Sequence, residues 1–433
     1  MARRMPVLVS IVVVSALLFC LPVFAQRDVQ GATRTDLDAE IGLEELLKAA
    51  AENNPSIKSA EYGAAASKSS ARAASALPDP TVTFEHMGKL VPFKLMPGDP
   101  SSARTYGVEQ DIPFPGKLGL KGSMATSEAK AQGWNHVLVQ RQVVSELKQA
   151  YYDLYFLRKS IDILLKTKDL YQNFEQIAQS RYQVGQAIQQ DVLKAQVELS
   201  KILDRTLILG QKKRIAEAKI NNLLYRPSDA PVGRPAEFKK AVLKHSLEEL
   251  TEAALSGAPA LKVQESEITR RQYGVELARK EFYPDFTLGF TYYDREGEPN
   301  PEMFGVMLKA KLPLYFWARQ KPELEAARLN LAGARTMRDS TTSTLRFQVK
   351  EGYTMAATSE RLAKLYSSAI VPQANLTLNS AIANYQVGKI DFLQLTDSSV
   401  ALLEYELKYY ESIIEFHKAL AQLEALTGLD LTM

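Results

Sequence analysis

The feature that most restricts this chain is that its 433 residues carry one unit written twice. Arg181-Tyr182-Gln183-Val184-Gly185 recurs as Asn384-Tyr385-Gln386-Val387-Gly388, an offset of 203 that also carries 221–225 onto 424–428 without a gap. Upstream, Asn54-Pro55-Ser56-Ile57 resembles Ala258-Pro259-Ala260-Leu261, Pro78-Asp79 matches Pro284-Asp285, and Ile112-Pro113 matches Leu312-Pro313. Self-similarity at a long fixed period implies two copies of one structural unit with a shared interface. In both halves the order reads as short helices, two strands, a very long helix, a Val-Gly turn and a second long helix.

The helices carry coiled-coil spacing. Val143, Leu147, Ala150, Leu154, Leu157, Ile161 and Leu164 alternate steps of four and three, as do Val400, Leu403, Leu407, Tyr410, Ile414, His417 and Ala421. Such a seam buries one narrow stripe against a neighbouring helix. The stretch from residue 116 to about 180 lacks proline, and as one helix would reach roughly 95 Å at 1.5 Å per residue. A helix of that length needs a partner along its course. Its counterpart, from about 322 to 383, contains Pro372, where a kink is expected because proline removes a helical hydrogen bond.

Four short segments alternate apolar and polar residues, the period of a strand with two unlike faces. Phe286, Leu288, Phe290 and Tyr292 make one apolar row, and Phe304, Val306, Leu308, Ala310 and Leu312 another. Val82 with Phe84, and Tyr106 with Val108 and Ile112, repeat the pattern in the first half, where Gln110 interrupts it. An antiparallel sheet on a soluble core would satisfy this alternation, and so would a barrel with lipid outside and water inside. Four strands are too few to close around a channel, so the barrel reading needs several chains. On that reading Lys309, Lys311, Glu109 and Asp111 line a wet lumen. The links rich in proline and glycine (Pro92, Pro97, Gly98, Pro100; Gly297, Pro299, Pro301) read as exposed outer loops.

The N-terminus adds a compartment. Arg3 and Arg4 precede a largely apolar run over 7–21, then Val23-Phe24-Ala25, which together describe a secretory signal peptide cleaved after Ala25. A retained anchor is the alternative, as is lipidation of Cys20, to which the bulky Phe19 is ill suited. Cys20 is the sequence's one cysteine, so the mature chain is expected to rely on burial and assembly rather than disulfides. No later apolar stretch is long enough for a membrane helix. Any entry into a membrane is therefore expected to be by strands. The formal net charge of +3 gives no electrostatic reason to expect nucleic acid as a partner.

These residues resemble the TolC-type outer-membrane efflux family over about 43–429. The specific pieces are the Arg181–Gly185 motif followed by Asp191-Val192-Leu193-Lys194-Ala195-Gln196, its echo at Tyr385-Gln386-Val387-Gly388, and Ile112-Pro113-Phe114-Pro115-Gly116-Lys117. The resemblance implies a mainly α chain with β: long coiled-coil-like helices forming an α-barrel, plus four strands given to a trimeric 12-stranded transmembrane β-barrel in the outer membrane. It implies a homotrimer whose tips (Tyr182, Val184, Gly185, Val387, Gly388) dock a periplasmic adaptor, and through it an inner-membrane pump. It also implies a gate at the second tip, where Tyr385 matches the family's tyrosine and Asp397 one of its acidic positions, with Asp191 contributing from the first half. Gln394 and Ile390 depart from the family's acidic residue and arginine. Three Asp397 carboxylates around an axis would favour cations; as a solvated helix charge Asp397 would do nothing of the kind.

The expected organisation is a signal peptide over 1–25, a tail over 26–39, a first repeat over 40–228 with a β-hairpin at about 81–112, a linker over 229–245, and a second repeat over 246–433 with a hairpin at about 286–312. No cofactor and no catalysis are expected: His86, His136, His245 and His417 are scattered, and no phosphate-binding loop, nucleophile elbow or dinucleotide fingerprint occurs. An exported coiled-coil scaffold or adhesin is the rival reading, but it leaves the duplicated two-faced hairpins unexplained. Met87, Met96, Met303 and Met307 lie in or near the outer hairpins, and thioethers suit Cu(I), though packing or lipid contact explains them equally. The transported substrate is left open, since a duct takes its specificity mostly from its pump.

Overall fold

A computed structural model describes residues 40–90, 92–96, 98–99, 101–238, 241–295 and 302–431. The signal peptide, the tail, Cys20, and the loop residues Pro97, Pro100, Gly297, Pro299 and Pro301 lie outside the described residues. The elements run β1 (Glu40–Ile41), α1 (Leu43–Asn53), α2 (Pro55–Ala73), β2 (Thr81–Met87), β3 (Ala103–Ile112), α3 (Lys117–Gln183), α4 (Gln189–Leu223) and β4 (Arg234–Pro235). They continue with α5 (Leu247–Gly257), α6 (Pro259–Lys280), β5 (Asp285–Asp294), β6 (Glu302–Lys311), α7 (Gln320–Leu365), α8 (Val371–Gln386) and α9 (Phe392–Thr427).

The 203-residue offset is visible in the backbone itself. It carries the first and last residues of α3, Lys117 and Gln183, onto the start of α7 at Gln320 and the end of α8 at Gln386. Each long arm then turns the same way. Val184 and Val387 leave the helix at φ −94° and −97°, and Gly185 and Gly388 follow at φ +76° and +77°, the left-handed region that glycine enters without a Cβ clash. The counterpart of Gly428, which ends α9 at φ +78°, is Tyr225, the one non-glycine with positive φ among the described residues.

At 67 residues, α3 spans about 100 Å. Its heptad positions Leu147, Ala150, Leu154 and Leu164 are buried, as are Leu403, Ile414, His417 and Ala421 of α9. Just before Pro372, where a kink is expected, the helix carries one π turn, Tyr366–Ile370, between α7 and α8. Proline cannot donate to the carbonyl four residues back, and widening the turn by one residue lets the helix continue past that gap.

Packing arranges the helices as a slab of four columns. α2 and α4 both pack on one side of α3, and α6 and α9 pack between α3 and the α7–α8 arm. Two columns are therefore made of two helices laid end to end. At one joint Asn54 caps α2, accepting from Ser56 and Ile57, while its amide donates to the Leu223 carbonyl at the end of α4 (2.8 Å). At the other, Arg141 of α3 lies against Gly428 and donates to the Gly257 carbonyl (3.5 Å). Lys148 and Glu424 tie α3 to α9 by a buried ion pair of 2.6 Å. His417 is buried among the rings of Tyr152, Phe238 and Phe416. Burial lowers its pKa to about 4, so it is a neutral packing residue of the seam at physiological pH.

The short parallel pair β1–β4 has no counterpart in the sequence reading. Glu40 and Ile41 pair with Arg234 and Pro235, and the Tyr151 hydroxyl lies 3.2 Å from the Ile41 and Ala236 carbonyl oxygens. These contacts strap the ends of the first repeat across α3.

Candidate functional site

The four longer strands form one antiparallel sheet in the order β2-β3-β5-β6. Register aligns the apolar residues into rows that cross every strand. Val82, Val108, Phe290 and Val306 form one, and Phe84, Tyr106, Tyr292 and Phe304 the next. Gln110, the residue that interrupts the pattern, sits in the row of Leu288 and Leu308. This face is uncovered: Val82, Phe304, Val306 and Leu308 are each 70% exposed or more. A face this apolar is stable only against something other than water. The sheet also has two open edges, β2 and β6, within the single chain.

The opposite face is polar and internally paired. Lys309 contacts both Glu109 carboxylate oxygens at 3.0 Å, and Thr287 donates to Asp111 at 2.6 Å. Lys311 stands opposite Asp285 at the end of the sheet. There the sheet joins the rods through Lys117, nearly fully buried and paired with Asp285 (2.9 Å) and Glu281 (3.0 Å), while Asp285 also accepts from the Phe114 amide (2.8 Å). Of the four methionines, Met87 is on the β2 edge while Met303 and Met307 are on β6, the far edge. One chain therefore does not gather them into a thioether site. Among the described residues no cluster of three His, Cys, Asp or Glu side chains could hold a metal ion.

At the other end of the rods lie the two turns. Val184 and Val387 are each 68% exposed there. Just behind the second turn Tyr385 is 2% exposed, packed edge-on to Phe392. Its hydroxyl donates to Asp191 over a long 3.5 Å, and the Arg181 guanidinium covers its ring 4.8 Å from the centroid. Arg181 also donates to the Tyr385 carbonyl and, at 3.1 Å, to the Gln186 carbonyl. Burial raises the Tyr385 hydroxyl to about 12, reinforced by the neighbouring Asp191 charge. Burial likewise raises the Asp191 carboxyl, against the opposing pull of Tyr385 and Arg181.

The structure thus brings Tyr385 and Asp191 together and adds Arg181, which sequence reasoning used as a motif residue and not as a site residue. The signal was present: Arg181 stands where the second repeat has Asn384, and a charge found in one copy only marks a contact special to that copy. Asp397 is not brought to this cluster. It is exposed and lines a separate hollow with Tyr171, Glu198, Lys201 and Arg205. Tyr182, the counterpart of Tyr385, is 47% exposed. Gln394 and Ile390 line a separate open hollow between α8 and α9.

Comparison with known proteins gives a consistent picture. The profile of the family described as "Outer membrane efflux protein" matches residues 46–224 and again 250–429. The chain is 21% identical over 343 residues to the cobalt-zinc-cadmium resistance protein CzcC of Cupriavidus metallidurans, covering 76% of this chain and 78% of that protein. Among solved structures it is similar to the outer-membrane channel OprN, with a TM-score of 0.77 and 17% identity over 90% of this chain and 91% of that one. It is also similar to the outer membrane protein VceC of Vibrio cholerae, with a TM-score of 0.75 and 17% identity over 89% and 96% of the two chains.

Proposed function

Because the chain belongs to the outer membrane efflux protein family, we propose that three copies of it form the passive exit duct of a tripartite efflux system. The duct would carry small molecules or metal ions across the periplasm and outer membrane, the sheets standing in the membrane and the rods in the periplasm. One observation carries this reading: a four-stranded sheet with an exposed aromatic and aliphatic face and two open edges. Lipid would cover the face, and pairing β6 of one copy with β2 of the next would remove the edges. The slab supports the same closure. Its outer columns are joined directly to the edge strands, α2 leading into β2 and β6 into α7, so three slabs would make a tube of twelve columns beneath twelve strands. Glu109, Asp111, Lys309 and Lys311 would then face the water-filled interior.

The tips take two roles in this reading. Val184, Gly185, Val387 and Gly388, with the flanking Tyr182, offer exposed apolar turns to a periplasmic adaptor, and the adaptor links the duct to an inner-membrane pump. Tyr385, Asp191 and Arg181 form a latch that holds the second coil against the first and so keeps the pore narrow. Three exposed Asp397 side chains would add a carboxylate ring further along α9 that favours cations. The similarity to CzcC makes divalent metal cations the first cargo to test.

The test is electrical. Purified protein in detergent, added to planar lipid bilayers, is expected to give discrete ion-conducting steps, and Tyr385→Ala or Arg181→Ala is expected to increase their conductance or open time. A protein that remains a water-soluble monomer without detergent, with its hairpins packed on its own interior, would remove the basis of the proposal.

A further inference from the structure

The surface of the first repeat that receives Tyr385 is reproduced in the second repeat, and there it is empty. Around Tyr385 stand Phe174, Ala178 and Ala195, buried in the same cluster, with Arg181 and Asp191. Adding 203 to each number gives Thr377, Ala381, Ser398, Asn384 and Gln394. Those five residues line one open hollow of about 460 Å³ on the second coil, together with Leu376, Ser380 and Ile390. The residue equivalent to the occupant, Tyr182, is exposed on the first coil. Both parts of a contact made once within the chain are therefore present a second time, unmated.

We propose that this hollow is the seat for Tyr182 of a second copy of the same chain, a contact that rests on the ring of copies proposed above. Within one chain Tyr182 ends α3 of the first repeat, whereas the hollow lies on α8 and α9 of the second and Tyr182 does not line it. A second copy placed by the operation that relates the first repeat to the second brings them together. The occupied seat offers a guanidinium and a carboxylate; the empty one offers two amides, Asn384 and Gln394, and the apolar side chains of Leu376 and Ile390. The Tyr182 hydroxyl would bond the Gln394 amide where that of Tyr385 bonds a carboxylate. The Tyr385 seat thus holds charged partners, Arg181 and Asp191, where the Tyr182 seat holds the neutral Asn384 and Gln394.

Disulfide trapping tests this directly, because the sequence's one cysteine is Cys20, replaced by Ser in any preparation that retains it. Tyr182→Cys combined with Gln394→Cys in the full-length protein, oxidised in detergent, is expected to yield covalent species of two and three chain masses. Asp191→Cys with Tyr385→Cys, a contact within one chain, is expected to stay at one chain mass under the same oxidant. Light scattering on the unoxidised protein separates the failures. Three chain masses with no Tyr182–Gln394 ladder would overturn the seat and leave the ring of three standing. One chain mass would overturn both, whereas a Tyr182–Gln394 bond confined to single chains would overturn the seat.

Discussion

Single residues decide how firmly this chain's tips are held, and charge is unevenly divided between them. Burial keeps the Asp191 carboxyl above its ordinary value, so the folded tip holds that proton harder than the unfolded chain does. The sign follows: the contribution is favourable below the unfolded value and is lost as pH rises from there through the raised folded value. Amide exchange around 385–392, corrected for its intrinsic pH dependence, is expected to slow as pH falls through that interval. Asp191→Asn is expected to flatten the trend, and an unchanged slope in that variant would disprove the assignment. The Lys148–Glu424 pair behaves differently because both side chains are buried and Glu424 also accepts from the Leu431 amide. Lys148→Ala removes the cation beside a buried carboxylate and is expected to cost about 3–5 kcal/mol, read as a lower denaturation midpoint. Lys148→Met with Glu424→Gln is expected to recover part of it. Little of this was legible in the sequence. Tyr385 and Asp191 could be named from motif and position, but Arg181 joins them only because a turn folds one coil back on the other. Asp397 stands apart because it lies further along the rods, beside Tyr171 of α3 and Glu198, Lys201 and Arg205 of α4.

Among the elements, the helices were the most legible part, since a heptad pattern sustained over many turns leaves few alternatives. Pro372 marked the place for a kink, and a widened π turn stands just before it; local sequence does not say whether a helix bends or widens. The β1–β4 strap was invisible: two residues pairing across nearly two hundred leave no periodic trace. The paired turns give an element-scale prediction. A Cβ at Gly185 would meet open space, whereas one at Gly388 would lie 3.1 Å from the Arg181 guanidinium. Both substitutions carry the left-handed penalty of about 1–2 kcal/mol. Gly388→Ala is therefore expected to speed proteolysis at its turn more than Gly185→Ala does at the other, and equal effects would argue against a guanidinium held there. The sheet gives another. Val306→Arg, in the middle of the exposed apolar row, is expected to cost about 2–4 kcal/mol of membrane stability, seen as reduced recovery from outer membranes. Lys309→Gln on the other face should be recovered normally.

For the whole molecule, the alternation of the hairpins was readable from residue order, and the long helices that need partners already favoured a shared lipid-facing barrel over a soluble sheet. Register adds that Val82, Val108, Phe290 and Val306 stand side by side and are left uncovered. No helix among the described residues is long and apolar enough to cross a membrane. The two open strand edges carry a consequence for the cell. A subunit waiting alone offers every passing strand a place to add, so a standing reserve of unassembled copies would be a hazard. On the proposed assembly, copies could not be stockpiled in water and drawn on when needed. Synthesis would have to be matched to insertion, and the safest moment would be the one in which the last edge disappears.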